Sequence, residues 1–466
     1  MRMMNFLTAL RLTESAAVPC IALTGSGGKS TALFRLGSEL TSSGRQTLLT
    51  TTTKVWARQA DHAPFTITTD DETLLARELP VLLSRYGRVL ALSGSAAEPE
   101  KMQGLPVDTV CRLARLASVQ AVVVEADGSR ERPLKAPADH EPVIPPCATD
   151  VIHVVGLSAL GKPLHSDWVH RPERVASLTG LRAGDPITTE AVAQLVVHRD
   201  GGLKGHPSGA RSWLYLNLMG KETDADKRAA LQIARAVLHH PVSGGQGYLA
   251  VLIGSAAGAE PVLEVHGRVT GVILAAGRGS RLTGDLPKQL LPWGEADTLV
   301  GHAVKTALSS SSLHEVMLVT GYQADAVAAA VAGMPVRVVH NRDWQAGQST
   351  SVRAALQALA PDVTAAVFLL ADQPTVSAES FATLVAAHST TLAAIVAPLY
   401  RGRRGNPVLF DRTTFDDLAA LTGDTGGRIL LDSYGDRVRF VPIDQPQPQG
   451  IETWDDYHSA LSRARL

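Results

Sequence analysis

Cysteine is scarce. Cys20, Cys111 and Cys147 are the three cysteines in 466 residues, too few and too scattered for a disulfide framework or a Cys-x-x-Cys metal site. A reducing cytoplasm is the expected setting. Excess charge of either sign is also missing: 44 Lys+Arg stand against 45 Asp+Glu, which excludes an overall pull towards nucleic acid or an anionic membrane. Any anion site must be local. No uninterrupted apolar run approaches the roughly 20 residues that span a bilayer. Met1 to Leu12 mixes two arginines into a short apolar stretch and has no cleavage site after it. A soluble, unsecreted protein is expected.

Aromatic residues make up only 5% of the chain. Ala, Val, Leu and Gly dominate instead, a mixture suited to parallel strands covered by Ala-rich helices. The expected fold class is α/β, with two doubly wound domains. At roughly 100 to 200 residues per domain the length asks for two or three. Buried-strand runs fall at Ile21 to Thr24, Thr47 to Thr50, Ala121 to Glu125, Val151 to Leu157, Trp213 to Asn217 and Tyr248 to Ile253. After a small-residue stretch, Gly254 to Glu260, strands restart at Val269 to Ala275, Glu315 to Thr320, Val336 to His340, Ala365 to Leu370 and Ala393 to Pro398. Helical patterns at Ala324 to Ala332, Ser351 to Ala360 and Ala378 to His388 separate them. The expected domains are residues 1–265 and 266–466, without an internal repeat.

Gly25-Ser-Gly-Gly-Lys-Ser30 follows the first strand and opens a helix, the place where a phosphate-binding loop sits. Leu23 occupies the position where the full G-x-x-x-x-G-K-[ST] pattern needs glycine, so the loop is a shortened variant. Gly25 and Gly28 would let backbone N–H groups converge, Lys29 would reach outer phosphates, and Ser30 would join a Mg²⁺ shell. The buried run Ala121 to Gly128 ends in two carboxylates, and either Asp127 or Glu125 could serve that metal. Lys135, Asp139, His140 and Glu141 share a Pro-bounded loop that reads either as functional or as a solvated turn. His165, Asp167 and His170 give weak metal-ligand geometry. Asn217-Leu-Met-Gly220 stands where GTPases read guanine with Asn-Lys-x-Asp, and Leu218 and Gly220 leave the base open.

The second half opens with Gly271-Val-Ile-Leu-Ala-Ala-Gly-Arg-Gly-Ser-Arg281, followed by Leu286-Pro-Lys288. Leu274, Ala275, Ala276 and Gly277 would let backbone approach a nucleotide, while Arg278, Arg281 and Lys288 bring charge to its phosphates. Val367-Phe-Leu-Leu-Ala-Asp372 is a buried strand ending in a carboxylate suited to Mg²⁺. Catalytic roles are expected for Arg281, Lys288 and Asp372. Free N–H groups of the helix starting near Ser349 converge with Ser349, Thr350, Ser351 and Arg353 on a place for a phosphate, unless those hydroxyls simply cap the helix.

These residues carry two resemblances. The first loop, Thr50-Thr-Thr-Thr-Lys54, Glu125-Ala-Asp-Gly-Ser129 and Arg132 to Pro142 resemble the selenium-dependent molybdenum hydroxylase accessory protein family over roughly residues 15 to 255. Residues 269 to about 460 resemble the molybdenum cofactor cytidylyltransferase family, through the loop above together with Thr320-Gly-Tyr322, Asn341 to Ser351, Arg404-Gly-Asn-Pro-Val-Leu-Phe410 and Gly423-Asp-Thr-Gly-Gly-Arg428. That resemblance implies transfer of CMP from CTP to the phosphate of molybdopterin. It implies CTP and molybdenum cofactor as substrates, Mg²⁺ as the metal and an apo-molybdenum hydroxylase as a partner. The family's Asp-Ile-Asp-Thr-Pro-Glu-Asp ending reads Gly450-Ile-Glu-Thr-Trp-Asp-Asp456 here. Glu452 keeps one carboxylate for metal and Gly450 loses the other. A non-catalytic cofactor carrier and another small-molecule phosphate nucleotidyltransferase are the alternatives.

Overall fold

The computed structural model describes residues 4–12, 18–95, 100–220, 223–240, 247–279, 281–282, 286–294 and 297–464. They form two compact units, Met1–His266 and Gly267–Leu466. No helix among the described residues is long and apolar enough to cross a membrane.

In the first unit, eight strands run parallel in the order Thr66–Thr68, Arg88–Leu92, Thr47–Thr51, Ala121–Glu125, Cys20–Gly25, Asp150–Gly156, Arg211–Asn217, Ala250–Gly254. Continuous apolar runs suit strands covered on both faces. Every residue of Cys20–Gly25, Ala121–Glu125 and Asp150–Gly156 is buried. From Cys20–Gly25 the chain continues to one side of the sheet and later returns on the other. The first strand is thus a switch point, and the crevice at its carboxyl end is where open α/β sheets bind ligands.

The second unit is mixed rather than wholly parallel. Its order is Arg337–His340, Glu315–Thr320, Glu264–Ala275, Val363–Leu370, Val408–Asp411, Ile395–Tyr400, Val438–Ile443, and Val408–Asp411 runs antiparallel to both neighbours. That strand arrives by a short return from Ile395–Tyr400, so no crossover helix separates the two. Alternation sets the two faces: Val269, Ile273 and Ala275 pack with Val300, Val304 and Phe381 on one side. Val272 packs with Val352, Phe368 and Phe410 on the other. Leu274 lies opposite Leu370 in register, which brings the loops after those two strands to one edge.

One departure from expectation lies in the first unit. Cys111 and Cys147 are joined in a disulfide, because the fold brings helix Val107–Leu113 to the segment that follows Pro145. Cys20 is free and buried, and burial beside Asp150 pushes its thiol up to about 12.

Candidate nucleotide sites

Three glycines of the first loop adopt left-handed backbone, with φ of 88° at Gly25, 76° at Gly27 and 129° at Gly28. A side chain is excluded at all three, a Cβ on Gly27 lying 2.5 Å from Gly156 Cα. A Cβ on Gly25 would lie 2.2 Å from the Val154 carbonyl oxygen, and one on Gly28 2.2 Å from Asn217 Nδ2. The loop ends at helix Lys29–Ser42. Lys29 is buried at the first turn and donates to the Gly25 carbonyl at 2.8 Å. Its Nζ also lies 3.3 Å from Asp127 Oδ1 and 3.6 Å from Glu125 Oε1. Burial pulls the Lys29 ammonium down, but Asp127 and Glu125 outweigh it and hold the group above its ordinary value.

Behind the loop runs a buried chain of charge. Asp127 Oδ2 accepts from the Gly25 N–H at 3.0 Å and from Lys135 Nζ at 2.9 Å. Lys135 donates also to Gly128 O at 2.7 Å and Glu141 Oε2 at 2.9 Å. Arg171 clamps both Glu141 oxygens, at 2.7 and 3.2 Å. Burial alone would raise the Glu141 carboxyl; Arg171 and Lys135 overcome that and bring it down to about 2. Ser30 Oγ donates to Glu125 Oε2 at 2.8 Å. Burial pushes the Glu125 carboxyl above its usual range, with Lys29 and Ser30 opposing. The threonine run serves this geometry, since Thr51 Oγ1 donates to the Glu125 carbonyl at 2.8 Å and Thr52 Oγ1 to Val143 O at 2.7 Å.

Asn217 is committed elsewhere than to a base. Its Nδ2 donates to Gly27 O at 2.6 Å while its Oδ1 accepts from the Ala256 N–H at 3.2 Å, so it braces the Gly25–Ser30 loop. Among the described residues no group of three or more His, Cys, Asp or Glu is placed to hold a metal. His165 and Asp167 form an exposed pair at 3.1 Å, and His170 is pulled down to about 4 by burial and Arg171.

Buried histidines give this unit an acid limit. Burial holds His153, which shares a hydrogen bond with Thr24 Oγ1, down to about 3, and holds His206 down to about 4. Both are neutral in the folded protein and protonated when unfolded below about pH 6.5. The unfolded state then binds more protons, so stability falls as pH drops from about 6.5 towards 4. Each histidine should contribute up to roughly 1.4 kcal/mol per pH unit in that window. Denaturant midpoints measured every half unit from pH 8 to 4 check the slope, and a flat profile between pH 6.5 and 5 would refute it.

In the second unit the strand ending at Ala275 delivers Ala276 and Gly277 to a cavity of about 330 Å³. Lys288, Gln348, Asp372 and Asp424 also line it. Gln289 Nε2 donates to Gly277 O at 2.5 Å and the Tyr322 N–H to Ala276 O at 3.0 Å, which fixes the loop's path. Lys288 donates to Asp372 Oδ2. Asp372 Oδ1 is buried and accepts no hydrogen bond. A hard cation fits that oxygen. A second cavity of about 390 Å³ shares Leu274, Gln348 and Leu370 with the first. Phe368, Phe410 and Val352 form apolar walls, and Gln373, Asn406, Arg404 and Arg428 supply polar groups.

The family model of the YqeC protein matches residues 21–173, and that of the MobA-like NTP transferase domain matches residues 271–438. The chain is 34% identical over 197 residues to YqeC of Escherichia coli K12, covering 42% of this chain and 75% of that one. It is 32% identical over 197 residues to the molybdenum cofactor cytidylyltransferase of the same organism, covering 41% of this chain and 95% of that one. This chain joins a YqeC domain to a MobA-like NTP transferase domain. Nicotine blue oxidoreductase of Paenarthrobacter nicotinovorans is also similar, at 37% over 170 residues, 35% of this chain and 81% of that one.

In the YqeC unit the structure brings Gly25, Gly28, Lys29, Ser30, Glu125 and Asp127 together, and adds Lys135, Glu141 and Arg171. Lys135 and Glu141 are buried, not part of a solvated turn, whereas Asp139 and His140 are exposed. In the MobA-like unit Leu274, Ala276, Gly277, Lys288 and Asp372 line one cavity, and Ala275 is buried in the strand behind them. Arg281 and Glu452 pair with each other at an exposed position and neither lines that cavity among the described residues. Ser280 lies outside the described residues.

The expected acceptor group at helix Gln348–Ala358 is rearranged. Arg353 donates to the carbonyls of Ala419 and Leu421 at 3.2 and 3.0 Å, so it braces the end of a neighbouring helix. Thr350 Oγ1 donates back to Gly347 O at 2.8 Å. Asp424 Oδ1 accepts from the Gln348 N–H at 3.3 Å, taking up a free amide of that helix end. Gln348 and Asp424 were not singled out from the sequence as individual residues, although both fall inside motifs noted there. Gly450 stands beside Asp372: a Cβ there would lie 3.7 to 3.9 Å from the Asp372 carboxyl group.

Proposed function

We propose that the MobA-like unit is a CTP:molybdenum cofactor cytidylyltransferase and that the YqeC unit binds nucleotide phosphates through the Gly25–Ser30 loop. The observation that carries the first part is the pair of adjoining cavities at the ends of strands Glu264–Ala275 and Val363–Leu370. One has small residues and a lysine–aspartate pair, the features a triphosphate needs. The other has aromatic walls with amide and guanidinium groups, which suit a flat heterocycle carrying a phosphate. The relative named molybdenum cofactor cytidylyltransferase supports the choice of substrates.

In this reading Ala276 and Gly277 admit the nucleotide, Lys288 meets its phosphates, and Asp372 would hold Mg²⁺. Bound Mg²⁺ supplies neutralisation of charge on the reacting phosphates. The acceptor phosphate oxygen attacks the α-phosphorus in line with departing pyrophosphate, and the protein's contribution is positioning and charge. Lys288 leaves Asp372 for the triphosphate as it binds, which exchanges one ion pair for another. Arg281 reaches the phosphates only by giving up Glu452. An apo-molybdenum hydroxylase would receive the product.

Acceptor-dependent pyrophosphate release tests this reading, with CTP, GTP and ATP compared. CTP is expected to be preferred, and an absence of pyrophosphate release with the cofactor present would favour a non-catalytic carrier over a transferase. Gly450→Asp should add a second carboxylate beside Asp372 and tighten Mn²⁺ binding on the order of tenfold, equivalent to roughly 1.4 kcal/mol. Unchanged Mn²⁺ affinity by calorimetric titration would mean that position 450 does not face the metal.

A further inference from the structure

The two carboxylates beside the YqeC-unit loop are not equivalent. Asp127 is 2% exposed, and both of its oxygens face ammonium groups: Oδ2 accepts from Lys135 at 2.9 Å and Oδ1 lies 3.3 Å from Lys29. A divalent cation drawn to Asp127 would meet two like charges at close range. Lys135 is itself anchored by Gly128 O and by the Glu141–Arg171 pair, so it cannot withdraw cheaply. Glu125 differs. Its Oε2 already shares a hydrogen bond with Ser30 Oγ at 2.8 Å, and its Oε1 is opposed only by Lys29 at 3.6 Å.

Lys29 is the movable member of the cluster. It reaches back to the carbonyl of its own loop, and although it lies 3.3 Å from Asp127 Oδ1, that buried oxygen accepts no hydrogen bond. Phosphates offer a lysine stronger partners than a backbone carbonyl. Once Lys29 turns to them, Glu125 Oε1 loses its neighbouring cation while Asp127 keeps Lys135. A hydroxyl and one freed carboxylate on adjoining elements match the demands of Mg²⁺, which takes one or two protein ligands and completes its shell with phosphate oxygens and water.

We infer that the YqeC unit holds a magnesium–nucleoside triphosphate whose metal is carried by Ser30 and Glu125, and that Asp127 is a positioning residue kept off the metal by Lys135. The inference rests on the reading that the loop binds phosphates, and the two can fail separately. The experiment is calorimetric titration of the full chain with ATP, GTP and CTP, with and without Mg²⁺, counting nucleotides bound per chain. Lys29→Ala is expected to remove one nucleotide site; if it removes none, the phosphate-loop reading falls.

Where that site is lost, Glu125→Gln should retain metal-free binding at it and lose the strengthening by Mg²⁺, expected to be tenfold or more. Asp127→Asn should keep that strengthening. Strengthening lost in Asp127→Asn, or kept in Glu125→Gln, overturns the metal assignment. Ser30→Ala, a small change at a partly exposed position, provides the same test if either carboxylate variant fails to fold: it too should lose the Mg²⁺ effect, and keeping it would contradict the inference.

Discussion

Asp372→Asn should lower nucleotidyl transfer by roughly 100- to 1,000-fold, the usual loss when one strong electrostatic contributor is removed, with little loss of fold. Asp372 follows the buried strand Val363–Leu370 and emerges at the carboxyl edge of the sheet, where one oxygen meets Lys288 and the other accepts no hydrogen bond. Asparagine keeps the shape and one oxygen. It removes the charge that both Lys288 and a cation require. The competing account makes Asp372 a turn residue before Pro374, and asparagine, an equally good turn former, would then be nearly silent. Turnover at saturating CTP across a Mg²⁺ titration separates them. Activity within a few-fold of the parent would take Asp372 out of the site.

Lys135→Met should destabilise the YqeC unit by about 3–5 kcal/mol, the range for breaking a buried ion pair from one side. Lys135 is 2% exposed and sits between Asp127 and Glu141, so its loss leaves Asp127 buried without its second cation and Glu141 dependent on Arg171 alone. Methionine fills much of the same volume, which keeps the effect electrostatic. In a unit of this size the loss corresponds to a fall in Tm of roughly 10 °C, read by calorimetry of the full chain. Lys135→Arg keeps the charge and should fall by much less. Equal losses in the two variants would show that packing, not charge, sets the cost.

Local motifs were legible where chemistry and chain order coincide. The loop from Gly25 to Ser30 and the segment from Leu274 to Gly277 each begin at the end of an apolar strand, so their positions at the sheet edge follow from strand direction alone. Lys288 and Asp372 are 84 residues apart, yet both sat in recognisable segments. Contacts made by folding were hidden. Nothing in the spacing of Lys135, Glu141 and Arg171 announces that the strands Leu134–Lys135 and Val169–His170 pair and bury them. Their polar, Pro-bounded surroundings instead suggest solvent. Val408–Asp411 is a strand missing from the apolar runs of the sequence, and only its partners reveal it as antiparallel. Arg353 carries the charge an acceptor site needs, but its helix turns it towards Ala419, a direction that sequence periodicity does not encode. The Cys111–Cys147 disulfide belongs to the same group, since 36 residues separate partners that only the fold brings together.

The most direct test of the central claim follows the α-phosphate. The full chain is incubated with CTP labelled at the α-phosphorus, Mg²⁺ and molybdenum cofactor, and the products are separated from nucleotide. Transfer predicts that label appears in the cofactor fraction in a one-to-one ratio with pyrophosphate released, and that the signal falls with Asp372→Asn. Label that remains in CTP or CMP while the cofactor stays unlabelled would contradict cytidylyl transfer by this chain.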